Sequence, residues 1–540
     1  PLSCSRAGPM AIATETCWYA ASDGTAAQGA KRIAFLTISL SGHRRLAVSL
    51  ATEMSDRGFE VDFLVSTAGV TEELRALEHK APNFTLHSIT RGMDLISRMD
   101  WQRVAASQGR LGGSKLALFQ CIDEICEDIA GSAEHWREMV EILSASWPDV
   151  VVVDHAHKVL QQWAEDNGIP TIVLHTPYFQ TGTPTGCACI SSEDARKLDE
   201  FVAARQPFKK MDKAKDMLGI KGKDIELGEG EEGAQEAHGL APHTFVFCEP
   251  ELLHSAHLLP RVHAVGPCFS NRDPVDVDAH LLPWLDAASL AGEKVLYVAF
   301  GTLANGFLTA SAVGTLLDAF ESLGATWRVL WSLPLAQQPL LAQSSRRLDE
   351  RRVRMELFVR QRAVLAHPAV SVFLSHGGQS SANEGISAGC PLVCMPLFCD
   401  QYEMAESLHR HGLGVIFHKD ELLDGQAQRL CQLVLLAEED PRFRGTARRH
   451  AQLMRIRGGC RRAAEVIESI AYAGADFGEL WQGGEVEAEE AKAPAPNQTD
   501  KAPGLALTPA RTLLQQPVAM GKRQLHRSAE DEAAQGGNAS

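Results

Sequence analysis

Short runs of large apolar residues alternate along this chain with longer stretches whose apolar positions recur at helical spacing. Lys31 to Leu40 (Lys-Arg-Ile-Ala-Phe-Leu-Thr-Ile-Ser-Leu) reads as a first strand. The turn Ser41-Gly42-His43 leads into a predicted helix, Arg44 to Arg57, which stops at Gly58. A second strand, Glu60 to Ser66, comes at once, and strand–helix–strand implies a parallel sheet. The pattern recurs with strands Val150 to Asp154 and Thr171 to His175, the helix between them ending at Gly168. Residues 207–243, rich in Lys, Glu and Gly, break the regularity and read as a mobile insertion. Thr244 to Cys248 and Val262 to Val265 resemble the last strands of this half.

Asn271 to Glu293 has the polarity and turn residues of a linker. A second series then begins at Lys294, with strands at Val295 to Phe300, Trp327 to Trp331, Val353 to Phe358 and Val370 to Leu374. Leu392 to Pro396 and Gly414 to Phe417 complete it. Thr446 to Ala473 reads as helix broken at Gly458-Gly459. The fold class is therefore α/β: two doubly wound parallel-sheet, Rossmann-like domains facing across a cleft. Ligands of such sheets sit beyond the carboxyl ends of the strands. The expected limits are 1–30 for a disordered N-terminal segment, 31–270 for the first domain and 271–293 for the linker. The second domain takes 294–475, and an Ala/Pro/Glu/Gln-rich disordered tail takes 482–540.

Composition narrows the function. A formal charge of −16 argues against nonspecific nucleic-acid binding, which needs a basic face. The acid-rich runs Asp224 to Glu236 and Glu485 to Glu490 read as solvated loop and tail. Thirteen scattered cysteines with no CxxC pair indicate reduced thiols and a cytoplasmic location. Val295 to Leu317 is apolar but interrupted by Gly301, Asn305 and Gly306, so no integral membrane segment is expected. The weak apolar patch Pro9 to Ala13 makes a poor secretory signal. Since the chain opens on Pro1, a transit segment or a truncation stays open.

The densest chemistry lies between Phe358 and Gln401. The buried strand Val370 to Leu374 ends in Ser375-His376-Gly377-Gly378-Gln379-Ser380-Ser381, and a helix is expected as far as Ala388. Strand, glycine turn and helix start present free backbone N–H groups to a phosphate. The turn adds an imidazole and two hydroxyls, and Glu384 adds a carboxylate able to grip a diol. Phosphate donors beside such a carboxylate suggest a nucleotide-sugar site.

Phe358, Gln361, Leu365, His367, His376, Gly378, Glu384, Gly389, Pro391, Asp400 and Gln401 stand at the intervals of one known signature. On these residues the chain resembles the family 1 nucleotide-sugar glycosyltransferases of GT-B type, the group of plant secondary-product and animal glucuronosyl transferases. Gly42-His43 and Val151-Val152-Val153-Asp154 extend the likeness more loosely into the first half. The resemblance implies that Phe358 stacks on uracil in place of the usual Trp, with Val359 and Gln361 beside base and ribose. It implies that His376, Gly378, Ser381 and Thr302 meet the diphosphate, that Glu384 holds the ribose hydroxyls, and that Asp400 and Gln401 bind the sugar. Gln379 and Ser380 stand where plant members carry Trp and Asn, so donor identity does not carry over from them.

The activity implied is transfer of a hexose from a UDP-sugar to a hydroxyl of a small lipophilic acceptor, with inversion and no metal. The UDP-sugar is a co-substrate, and no cofactor is expected. His43 is the candidate base, and Asp154 orients its imidazole. Asp154-His155-Ala156-His157 also permits a metal reading, which the expected turn into a helix disfavours. His175 and Tyr178 are placed either facing the acceptor or in packing. Acceptor choice is expected in residues 85–120 and 176–240. Two other readings stay open: a UDP-sugar epimerase or hydrolase on the same scaffold, and a non-catalytic nucleotide-sugar-binding subunit.

Overall fold

Two parallel sheets carry the chain. The structure, a computed structural model, describes residues 30–107, 110–176, 191–207, 209–221, 243–253, 261–270, 276–301, 303, 307–343 and 349–473. The first sheet contains β1 (Arg32–Leu36), β2 (Glu60–Ser66), β3 (Phe84–Ile89), β4 (Val150–Asp154), β5 (Thr171–His175), β6 (His243–Val246) and β7 (Val262–Ala264). Its spatial order is β3-β2-β1-β4-β5-β6-β7. The second contains β8 (Lys294–Ala299), β9 (Trp327–Ser332), β10 (Val353–Glu356), β11 (Val370–Ser375), β12 (Leu392–Cys394) and β13 (Gly414–Ile416). Its order is β10-β9-β8-β11-β12-β13. Both are doubly wound, with strand order reversing between β1 and β4 and between β8 and β11. Each reversal opens a crevice beyond the strand ends.

The strands are apolar on both faces because both faces are covered. In β1, Ile33 and Phe35 point into one apolar cluster with Phe63, Val150 and Val152, while Ala34 and Leu36 point into another. That is the two-residue period of a pleated strand. β8 divides likewise, Leu296 and Val298 from Val295 and Tyr297. The cluster beneath Ala34 and Leu36 continues through Val104, Ala117 and Phe398 to Leu296 of β8 and Leu374 of β11. The two sheets thus share a core. Full burial of one such large side chain is worth about 1.5–3 kcal/mol.

Several elements differ from the sequence expectation. The first helix spans Ser41–Asp56, so His43 lies in its first turn rather than in the preceding turn. The expected linker 271–293 contains a helix, Leu282–Leu290, whose Leu285 and Ala288 are buried. Within the expected irregular stretch 85–120 lie β3 and the helices Trp101–Ala106 and Arg110–Glu127. The expected insertion 207–243 includes the helix Asp212–Leu218; its residues 222–242 lie outside the described residues, as do 1–29 and the tail 482–540.

The expected second domain ran to residue 475. Its last helix, Cys460–Ala473, instead returns to the first sheet, where Ala463, Ile467 and Ile470 pack with Ile33, Phe35 and Val152. Arg57 Nη1 anchors it by donating to Glu468 at 3.0 Å. An amphipathic helix goes where its apolar face is covered, and Gly458 and Gly459, both with positive φ, let the chain turn there.

Candidate active site

Each crevice collects polar groups from the ends of its central strands. At the first, Asp154 ends β4 with its side chain fully buried, and His43 enters from the first turn of the helix after β1. Nδ1 of His43 lies 2.8 Å from Oδ2 of Asp154. A carboxylate only accepts, so Nδ1 carries the proton and Nε2 keeps its lone pair. Oδ1 of Asp154 accepts from the Ala156 N–H at 3.0 Å and lies 3.1 Å from His155 Nδ1. Burial pushes the Asp154 carboxyl up, and the imidazoles of His43 and His155 more than offset it, holding it well below the usual carboxylate range.

Two neighbours of this pair were not assigned to it from the sequence. Thr176 Oγ1 sits 2.7 Å from Nδ1 and 3.1 Å from Nε2 of His43. His155 stacks on His43 with ring centroids 5.4 Å apart, and His175 packs on His155 at 5.2 Å. Thr176 comes directly after β5, the next strand of the crevice, which was the available signal. His175 therefore belongs to the imidazole group, while Tyr178 lies outside the described residues. His43, Asp154 and His155 bring one ligand atom each within 4.8 Å of one another, a spacing a divalent cation could bridge. His157 takes no part in it; it is buried and accepts from Trp136 Nε1 at 3.3 Å.

At the second crevice, β11 ends at Ser375 and the helix Gln379–Ser387 begins after Gly377 and Gly378. No side chain among the described residues caps that helix, so its first-turn N–H groups are free to meet an anion. His376 lies between two glycines. A Cβ on Gly378 would fall 2.5 Å from its Nε2, and one on Gly301, where φ is +75°, would fall 3.0 Å from the same atom. Burial lowers the imidazole to about 4, so it is neutral near pH 7. Its Nδ1 and both polar atoms of the Gln379 side chain are buried without a hydrogen-bond partner among the described residues. Buried polar atoms normally have partners, so such orphans fit a site built for a ligand.

The remaining donor-site candidates form a network. Gln361 donates from Nε2 to Glu384 Oε2 and, at 3.3 Å, to Ser381 Oγ; its Oε1 accepts from Tyr297 at 3.0 Å. Glu384 is held in place, buried, with Arg45 Nη1 of the first half 3.7 Å from its Oε1. Arg45 was another residue the sequence reading passed over. Phe358 is 70% exposed just beyond β10, free to offer its ring face. Val359 packs its side chain into the apolar core, which leaves only its backbone for a ligand. Gln401 turns its Oε1 inward to accept from the Leu397 and Phe398 N–H groups at 2.9 and 3.3 Å. Asp400 is half-buried at the start of the helix Gln401–Arg410. Thr302 lies outside the described residues.

The two crevices meet. A Cβ on Gly42, the residue before His43, would lie 3.7 Å from Ser380 Oγ. Gly42, Arg45, Ser380, Asn383 and Glu384 line one opening. Among the described residues no helix is long and apolar enough to cross a membrane. All nine described cysteines are free.

Residues 250–427 match the family model described as UDP-glucoronosyl and UDP-glucosyl transferase. The chain is 31% identical over 220 residues to UDP-glycosyltransferase 1 of Phaeomoniella chlamydospora, covering 39% of this chain and 43% of that protein. It is 24% identical over 421 residues to UDP-glycosyltransferase 76F2 of Arabidopsis thaliana, covering 69% and 81%. Several curated relatives are matched over only 38–43% of their own length. Among solved structures, the glycosyltransferase of kitacinnamycin superposes with a TM-score of 0.58 at 20% identity, over 82% of this chain and 99% of that one. This last likeness is one of fold.

Proposed function

We propose that this chain is a member of the UDP-glycosyltransferase family, an inverting, metal-independent transferase moving a hexose from a UDP-sugar to a hydroxyl of a small lipophilic acceptor. The observation that carries the reading is the closeness of Gly42 to Ser380, where a Cβ placed on the glycine would lie 3.7 Å from Ser380 Oγ. It sets a proton acceptor beside an anion-binding helix N-terminus, the two parts glycosyl transfer needs.

The acceptor hydroxyl would lose its proton to Nε2 of His43 as its oxygen attacks the anomeric carbon. The bond from that carbon to the diphosphate oxygen breaks, and its electron pair leaves with UDP. Attack opposite the leaving group inverts the configuration. Asp154 stabilises the imidazolium so formed and fixes the tautomer that leaves Nε2 free. The charge developing on UDP would be met by the first-turn N–H groups of the helix Gln379–Ser387 and by His376, acting as a neutral donor. Glu384 would take the ribose hydroxyls, Phe358 would stack on uracil, and Asp400 with the amide of Gln401 would take the sugar. Thr302, through its hydroxyl, belongs to the diphosphate set in the same reading. We assign the His43–Asp154–His155 cluster to proton transfer, so a chelator should leave the rate unchanged. Free cysteines and a charge of −16 support a cytoplasmic protein that does not bind nucleic acid.

The test is a thermal-shift screen of UDP-glucose, UDP-galactose, UDP-glucuronate and UDP-N-acetylglucosamine, with turnover then measured on phenolic acceptors. Binding to the native state raises Tm by mass action, so at least one donor should stabilise the protein. No stabilisation by any donor or by UDP would sink the reading. Free sugar or a 2-epimer released at turnover rates without acceptor would instead favour a hydrolase or epimerase.

A further inference from the structure

The turn bearing Asp400 and Gln401 belongs to the second half, yet the first half grips it at several points. Ser114 Oγ, fully buried, accepts the Cys399 N–H at 2.9 Å. Lys115 Nζ pairs with Glu403 Oε1 at 3.0 Å, where Glu403 is buried in the first turn after Gln401. Lys419, also buried, donates to Leu397 O at 2.9 Å and to Ser107 O at 2.7 Å, and so ties the turn to the backbone just after the helix Trp101–Ala106. Trp101 packs on Phe398 with ring centroids 5.8 Å apart.

The grip matters because the turn is strained. Cys399 has φ of +49°, a left-handed conformation that non-glycine residues adopt at a cost. Relaxation of Cys399 toward negative φ would swing the next two residues, Asp400 and Gln401, away from the crevice. Gln401 has no freedom to compensate, since its Oε1 is committed to the Leu397 and Phe398 N–H groups. Its amide nitrogen points wherever the turn points it. The partner that holds the strained residue's N–H is a side chain of the other half.

We propose that Trp101, Ser114 and Lys115 brace the donor-sugar turn, with Ser114 the positioning residue that sets the direction of Asp400 and Gln401. Sugar discrimination is then partly written in the half of the chain expected to choose the acceptor. This rests on the reading that Asp400 and Gln401 take the sugar of a UDP-sugar.

The experiment compares Ser114→Ala, Ser114→Thr and Lys115→Met in the full chain, reading KM for UDP-glucose and UDP-galactose against Kd for UDP. Ser114→Ala should raise the KM of the preferred UDP-sugar about tenfold, the effect of one buried hydrogen bond, and narrow the ratio between the two epimers. The Kd for UDP, which lacks the sugar, should stay within about twofold, and Ser114→Thr, which keeps the hydroxyl, should restore the ratio. The brace is refuted if the sugar ratio holds at its wild-type value, or if KM and UDP Kd rise together. Should Ser114→Ala not fold, Lys115→Met carries the same expectation and the same refutation. Wild-type protein that fails to bind UDP would overturn the functional reading itself; intact UDP binding with an unmoved ratio overturns only the brace.

Discussion

Nδ1 of His43 and Oδ2 of Asp154 lie 2.8 Å apart although 111 positions separate them in the chain. The sheet order brings them together. β1 and β4 are neighbours, with Phe35 paired to Val152, so the helix start after β1 faces the last residue of β4. The same rule places Gly301 after β8 against His376 after β11. Both halves therefore build their chemistry at the strand-order reversal.

His43→Ala should lower turnover by about 10²- to 10⁴-fold, the usual worth of a positioned base. Asp154→Asn should cost an amount of the same order, because an amide no longer selects the tautomer with a free Nε2. Neither change touches the second crevice, so UDP should raise Tm as much as it does in the parent. Turnover assays paired with thermal shifts check this. Full activity of His43→Ala would remove the proposed mechanism.

Gly378→Ala should abolish stabilisation by UDP while leaving a folded protein. The added methyl would fall 2.5 Å from His376 Nε2, and the ring would have to leave its cradle. Circular dichroism with UDP titration separates the two effects.

On the proposed assignment of Glu384 to the ribose, Glu384→Gln should raise the Kd of UDP-sugars by about 10- to 100-fold, because a charged acceptor for two hydroxyls becomes a neutral one. The rate at saturating donor should change little, since the proposed role of Glu384 is at the ribose and not at the reacting carbon. Calorimetric titration with UDP and with a 2′-deoxy analogue tests it; the variant should no longer distinguish the two.

Burial drives His135 down to about 4, with the neighbouring His157 adding to the effect; His243, His263 and His376 are also lowered to about 4. These imidazoles are neutral in the folded chain and protonate more readily once unfolded. Their contribution to stability is whole above the unfolded value near 6.5 and is lost as pH falls toward 4. Urea midpoints should drop across that window. His135→Leu should flatten the drop, and an unchanged slope would count against the assignment.

The strand–helix alternation, the two Rossmann-like halves and the proposed donor-site stretch from Phe358 to Gln401 are legible in the sequence, because each is a local pattern. Apolar runs mark buried strands, a glycine turn marks a helix start, and His376, Gly378 and Glu384 stand within one strand–turn–helix unit. His43 and Asp154 are legible as strand-end residues, but the bond between them depends on sheet order. Thr176 and His155 stand beside strand ends, but their contacts with His43, like that of Arg45 with Glu384, become visible only when strands from distant parts of the chain lie side by side. The return of Cys460–Ala473 to the first sheet is also beyond local pattern, since an amphipathic face does not say which surface will cover it. So too is the hold of Ser114 on Cys399, where one half's side chain supplies the hydrogen bond that the other half's strained turn requires. Periodicity within a segment specifies elements; pairing between segments is decided by burial of all of them at once, and that happens only in three dimensions.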